Sequence, residues 1–163
     1  MLLPIQAGDI LLYSGETPVD DLIRVVTMSS FNHVAVALPD GKMVEALPGG
    51  VVIKPITEMG ESVWHVATEL PWSPAATAFV KSVVGESYSY LNDLLAGLGY
   101  PPITDKEWEC AELASKILNI LGVPLPKLSD TPQEVAVICA NRGNLFQFLP
   151  TQADIANALP KLG

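Results

Sequence analysis

Short apolar runs with β-like spacing fill the first 70 positions, and longer runs with helical spacing follow. Gly8-Asp9-Ile10-Leu11-Leu12-Tyr13, entered from a tight turn, reads as a strand that Ser14 and Gly15 close. Thr17-Pro18 opens a helix, with Thr17 as N-cap, Pro18 at the first helical position, and Asp20 and Asp21 in the first turn. Leu22, Ile23, Val25, Val26 and Met28 supply its apolar face, and Ser29 to Asn32 break it. His33-Val34-Ala35-Val36-Ala37-Leu38 is the next strand. A Pro39-Asp40-Gly41 turn returns the chain as Lys42 to Ala46, the second arm of a hairpin. Pro48-Gly49-Gly50 turns again into Val51 to Lys54, and Ser62 to Ala67 is a further β-like run.

The period changes after Leu70. Ser73-Pro74 caps a helix that runs to Val84 and stops at Gly85, and Leu91 to Leu98 form a short one. Cys110, Leu113, Ala114, Ile117, Leu118 and Leu121 then recur at i, i+3, i+4 and i+7, one buried helical face, and Gly122 ends it. Thr131-Pro132 starts another helix, which carries Cys139 and ends at Asn141-Arg142-Gly143. Leu145 to Phe148 is a last strand, and the tail from Thr151 to Gly163 is weakly helical. Strands segregated from helices predict an α+β fold, an antiparallel sheet packed against helices. The 163 residues suit one domain over 1–163, with a core at about 8–150 and a C-terminal tail at 151–163.

Hydrophobic residues make up 49% of the chain and charged residues 17%, a composition that folds rather than stays disordered. The net charge of −9 argues against a nucleic-acid partner, which would need a basic stripe, and against an anionic membrane surface. The N-terminus Met1-Leu2-Leu3-Pro4-Ile5 lacks the basic region of a signal peptide, and no apolar run is long enough for stable membrane insertion. The expectation is a cytoplasmic protein by default, or one delivered by a route without a signal peptide. There is no closely spaced Cys pair or His pair, no phosphate-binding glycine loop and no serine nucleophile elbow, so neither a metal nor a cofactor is expected.

Chemistry concentrates on a few residues. Cys110 sits where its helix begins, and a thiol in the first turn feels the positive end of the helix dipole, which favours thiolate. Cys110 is therefore either a core residue, as buried free cysteines usually are, or a nucleophile. Cys139 lies mid-helix among apolar neighbours and reads as core. His33 opens a strand after a polar loop, where an imidazole can face a cleft and serve as general base. His65, between Trp64 and Val66, reads as structural or solvent-facing. Glu45 interrupts an apolar strand that should pair with the His33 strand. It faces solvent or, with a modest register offset, sits beside the imidazole and fixes its tautomer. Asn32 and Asp9 are the next candidates for that third role.

Taken together, Gly8-Asp9-Ile10-Leu11, His33-Val34-Ala35-Val36, Val44-Glu45-Ala46 with Gly50-Val51, Tyr88-Ser89-Tyr90 and Trp108-Glu109-Cys110-Ala111-Glu112-Leu113 resemble the YiiX/YebB-like branch of the NlpC-type papain-fold superfamily. That branch is circularly permuted, with the order His, polar residue, Cys, which is the order of this chain. The resemblance spans about residues 8 to 140. It implies a permuted papain-like fold with Cys110 as nucleophile, His33 as base and Glu45 as orienting residue. Tyr88, Tyr13 and Trp108 would line the substrate cleft. Ala111 departs from the pattern, since serine often follows the cysteine in this branch. The implied activity is a cysteine amidase or peptidase acting through a thioester acyl-enzyme on a small peptide, a cell-wall fragment or a lipid amide. An acyl or lipid thioester transferase, and a non-enzymatic binding domain that retains the fold, are the alternatives.

Overall fold

In a computed structural model, the chain is described over residues 2–13, 30–47, 49–60, 62–85 and 109–160. The helix expected from Thr17 and the one expected over Leu91 to Leu98 lie outside these residues. Among the described residues, six strands form one antiparallel sheet: β1 Ile10–Tyr13, β2 His33–Leu38, β3 Lys42–Leu47, β4 Gly50–Pro55, β5 Val63–Ala67 and β6 Leu145–Leu149, in the spatial order β4-β3-β2-β1-β5-β6. The helices are α1 Pro74–Val83, α2 Cys110–Ile120, α3 Pro132–Asn141 and α4 Gln152–Ala158. The α+β architecture expected from the sequence is thus observed.

The β2–β3 hairpin turns through a short 3-10 segment, Pro39–Gly41, and its register pairs Leu38 with Lys42, Ala37 with Met43 and Val36 with Val44. Asp40 takes φ of 63° in this turn, a left-handed conformation that Asp tolerates better than most residues. All six residues of β2 are buried, although the strand is only six residues long. The reason is that the sheet has a core on each side. One contains Val34, Val36, Val44, Ala46 and Val66 with the apolar faces of α1, α2 and α3. The other contains Leu11, Ala35, Ala37, Met43 and Leu149 with Ile5, Ile56, Met59 and Ile155 of α4. Successive side chains of a strand point to opposite faces, so a strand covered twice reads as a continuous apolar run.

Helix ends follow the local sequence. Ser73, Thr131 and Thr151 accept hydrogen bonds from Ala76 N, Glu134 N and Asp154 N, the N-cap geometry that satisfies otherwise orphaned backbone donors. The α4 cap and its buried Ile155 and Ala158 turn the weakly helical tail into a packed element.

A second polar network ties the N-terminal segment to the sheet. The Asp9 carboxylate accepts from Gln6 N at 2.8 Å and Thr68 N at 2.9 Å, and it meets His65 Nε2 at 2.8 Å. Gln147 Oε1 accepts from Leu3 N at 2.7 Å and Gln147 Nε2 donates to Leu3 O at 3.2 Å. That pair fixes the amide, so its NH2 faces His65 Nδ1 at 3.4 Å and the ring is neutral with its proton on Nε2. His65 is fully buried, so of the structural and solvent-facing readings of its sequence position, the structural one fits.

The turn into β1 depends on Gly8. Its φ is +97°, and an added Cβ would lie 3.1 Å from Leu70 O and 3.2 Å from Leu121 Cδ1. Gly8→Ala should therefore cost about 1–3 kcal/mol, read as a lower urea midpoint with an unchanged slope. An unaltered midpoint would show that this turn tolerates a side chain.

Candidate active site

The hairpin places Glu45 where the His33 imidazole can reach it. Continued one step from Val36 opposite Val44, the register sets Glu45 across from Ala35, two residues along β2 from His33. The same period puts both side chains on one face of the sheet. Tyr13 is directly opposite His33 on the neighbouring strand, and Lys54 stands across from Met43 on β4, so both share that face.

Three donors converge on the Glu45 carboxylate, which is 2% exposed. His33 Nε2 lies 2.9 Å from Oε2, and the Tyr13 hydroxyl donates to the same oxygen. Lys54 Nζ stands 3.3 Å from Oε1. The Tyr13 ring meets the imidazole edge to face, with centroids 4.7 Å apart. Burial pushes the Glu45 carboxyl upward, but the His33 hydrogen bond and charge, the Tyr13 hydroxyl and the Lys54 ammonium outweigh it and hold the group at about 2. The carboxylate is therefore ionised at neutral pH and can only accept. A proton on His33 Nε2 therefore points at the carboxylate, and in the neutral ring Nδ1 carries the lone pair.

Cys110 is the first residue of α2, after Glu109, whose backbone is extended. It is 2% exposed. The helix lies against β2 and β3. Cys110 belongs to the core that holds Val34 and Val36, whereas His33 shares its side of β2 with Ala35 and Ala37. The two residues are thus brought to the same two strands from different layers. Cys139 is buried in the same apolar core, and burial pushes its thiol up to about 12, so it is inert as a nucleophile.

The other candidates fall as follows. Asp9 is committed to His65 and Thr68, and so does not orient His33. Asn32 is buried beside His33 in the chain. The Tyr13 hydroxyl, expected in the substrate cleft, is engaged by Glu45. Tyr88 and Trp108 lie outside the described residues. Sequence reasoning missed Lys54. Its signal was there: a lone cation in the strand after Glu45, at a position of the same parity once the Gly49-Gly50 turn fixes the β3–β4 register. Among the described residues, no three His, Cys, Asp or Glu side chains are grouped as a metal ion would require. No described helix is long and apolar enough to cross a membrane.

Neither a family model nor a curated protein matches the chain by sequence. The fold is similar to the crystal structure of the metalloprotein YiiX from Escherichia coli O157:H7, assigned to the DUF1105 group. The TM-score is 0.56 at 18% identity, over 94% of this chain and 92% of that one. The likeness is one of fold.

The Glu45 cluster has a pH signature. The folded carboxyl titrates at about 2, against 4.5 for a free glutamate, so the folded state binds this proton less tightly than the unfolded chain does. Its stabilisation, on the order of 3 kcal/mol, is complete above pH 4.5 and is lost as pH falls toward 2. Urea unfolding at a series of pH values should show this loss in the wild type and not in Glu45→Gln. An equal acid dependence in both would remove Glu45 as its source.

Proposed function

We propose that the protein is a cysteine hydrolase that cleaves an amide bond, with Cys110 as nucleophile, His33 as base and Glu45 as the residue that orients the base. One observation supports this reading: His33 Nε2 lies 2.9 Å from the buried, ionised Glu45 carboxylate, a contact in which a neutral ring puts its proton on Nε2 and keeps Nδ1 as the basic nitrogen. A carboxylate in that position also stabilises the imidazolium that forms when the base is protonated. The fold likeness to YiiX and the order His33, Glu45, Cys110 along the chain are consistent with the permuted papain-like arrangement that the reading assumes.

In the proposed mechanism, Nδ1 takes the Cys110 proton and the thiolate attacks the amide carbon. The C–N bond breaks as the imidazolium protonates the leaving amine, and a thioester remains. Water, deprotonated by Nδ1, attacks the thioester and releases the acid with the thiol restored. The Cys110 backbone N–H, at the start of α2, is a candidate oxyanion donor, a contact typically worth about 3 kcal/mol. Small peptides, including cell-wall fragments, and lipid amides are the substrate classes to try.

The test begins with the thiol. Iodoacetamide should label Cys110 at pH 6 faster than a free thiol of pKa ~8.5 permits, and His33→Ala should abolish the excess. Cys139 should stay unlabelled until the chain unfolds. On a panel of peptidoglycan fragments, lipid amides and ester probes, Cys110→Ala should remove turnover and His33→Ala should reduce it at least about 100-fold. Glu45→Ala should lower kcat more than it raises KM. Labelling at pH 6 no faster than an ordinary thiol, with turnover unaffected by Cys110→Ala, would overturn the assignment.

A further inference from the structure

Tyr13 closes β1 beside the candidate base. It is paired with His33 on β2 and with Val63 on β5, and its carbonyl accepts from Asn32 N at 3.3 Å. A residue held in register on both sides has its side chain aimed by the sheet rather than by a loop. That side chain reaches both members of the His33–Glu45 pair. Its hydroxyl donates to Glu45 Oε2, the oxygen that also faces His33 Nε2 at 2.9 Å. Its ring meets the imidazole with centroids 4.7 Å apart and an interplanar angle of 67°. A phenol has one O–H proton to give, and Glu45 takes it. The hydroxyl is thus already spent as a donor, which separates Tyr13 from a tyrosine that would polarise a substrate carbonyl.

We infer that Tyr13 is a positioning residue for the His33 base, its hydroxyl holding the Glu45 carboxylate ionised and in place while the imidazole gains and returns a proton. The inference rests on the assignment of His33 as base and adds a residue to it. In that assignment the Cys110 proton moves to Nδ1, and the ring becomes an imidazolium whose other proton, on Nε2, is aimed at Oε2. Were that proton to pass on to Oε2, the carboxyl would be neutral and the relay would lose the charge that stabilises the imidazolium. An oxygen that already accepts a second hydrogen bond is a weaker base, so the proton stays on nitrogen.

Among the described residues, the groups that act on Glu45 are His33 from β2, Tyr13 from β1 and Lys54 from β4. Burial raises the carboxyl, and His33, Tyr13 and Lys54 together bring it down to about 2. Lys54 serves the other oxygen, Oε1, at 3.3 Å, and so does not stand in for the hydroxyl.

Tyr13→Phe tests this, because it keeps the ring and removes the hydroxyl. The first readout needs no substrate: a carbon-13 titration of the Glu45 carboxyl. Its midpoint should rise from about 2 by about one pH unit, the equivalent of one hydrogen bond to a charged group. The second uses any substrate of the panel that the wild type turns over. Here kcat should fall about tenfold while KM stays within about twofold. A Glu45 midpoint that does not move would overturn the inference. So would a kcat that stays within about twofold of the wild type, with a raised KM then marking Tyr13 as a substrate contact. If the wild type turns over nothing on the panel, the hydrolase reading fails, and the carboxyl titration alone decides whether the hydroxyl controls Glu45.

Discussion

A carboxylate taken out of water must be met by donors or it will not stay ionised, and Glu45 imposes that constraint on three strands at once. Its position in the middle of β3 is fixed by hairpin register, and its burial then requires a proton donor from β1, one from β2 and a cation from β4. Tyr13, His33 and Lys54 meet these requirements. The consequence reaches the imidazole: because the carboxylate can only accept, the His33 tautomer is set by the hairpin rather than by chance. An unpartnered carboxylate at the same depth would cost several kcal/mol or give up its charge, and His33 would then have no fixed tautomer.

The molecule holds a second histidine under the opposite discipline. His65 also faces a carboxylate through Nε2, but Gln147 closes off its Nδ1 with an amide that is itself held by Leu3. Both nitrogens are engaged, and the ring is fully buried. The contrast shows what separates a structural imidazole from a candidate base in one sheet. Both have an acidic partner; they differ in burial, His65 being fully enclosed and His33 9% exposed at the start of its strand.

Much of this was legible in the chain. The Pro39-Asp40-Gly41 turn between two apolar runs specified the β2–β3 hairpin, and hairpin geometry alone brought Glu45 near His33. Ser73-Pro74 and Thr131-Pro132 marked helix starts because caps act within one turn. Strand order was not legible: β1 lies between β2 and β5, and β6 joins from the far end of the sequence, pairings set by long-range packing that no local pattern encodes. Lys54 was missed because its role depends on a β3–β4 register that follows only from the position of the Gly49-Gly50 turn. The double burial of β2 was hidden for a related reason, since an unbroken apolar run does not say whether one or two layers cover it.

The parity of β2 and β3 has an evolutionary reading. A single residue added to the Pro39-Asp40-Gly41 corner could shift β3 by one position against β2, turning Glu45 toward the helix layer and Val44 or Ala46 toward the imidazole. Loop length is usually the most freely varied trait of a protein. At this corner, insertions and deletions would act as changes to the site itself, so the three-residue turn is as much a part of the chemistry as the side chains it aligns.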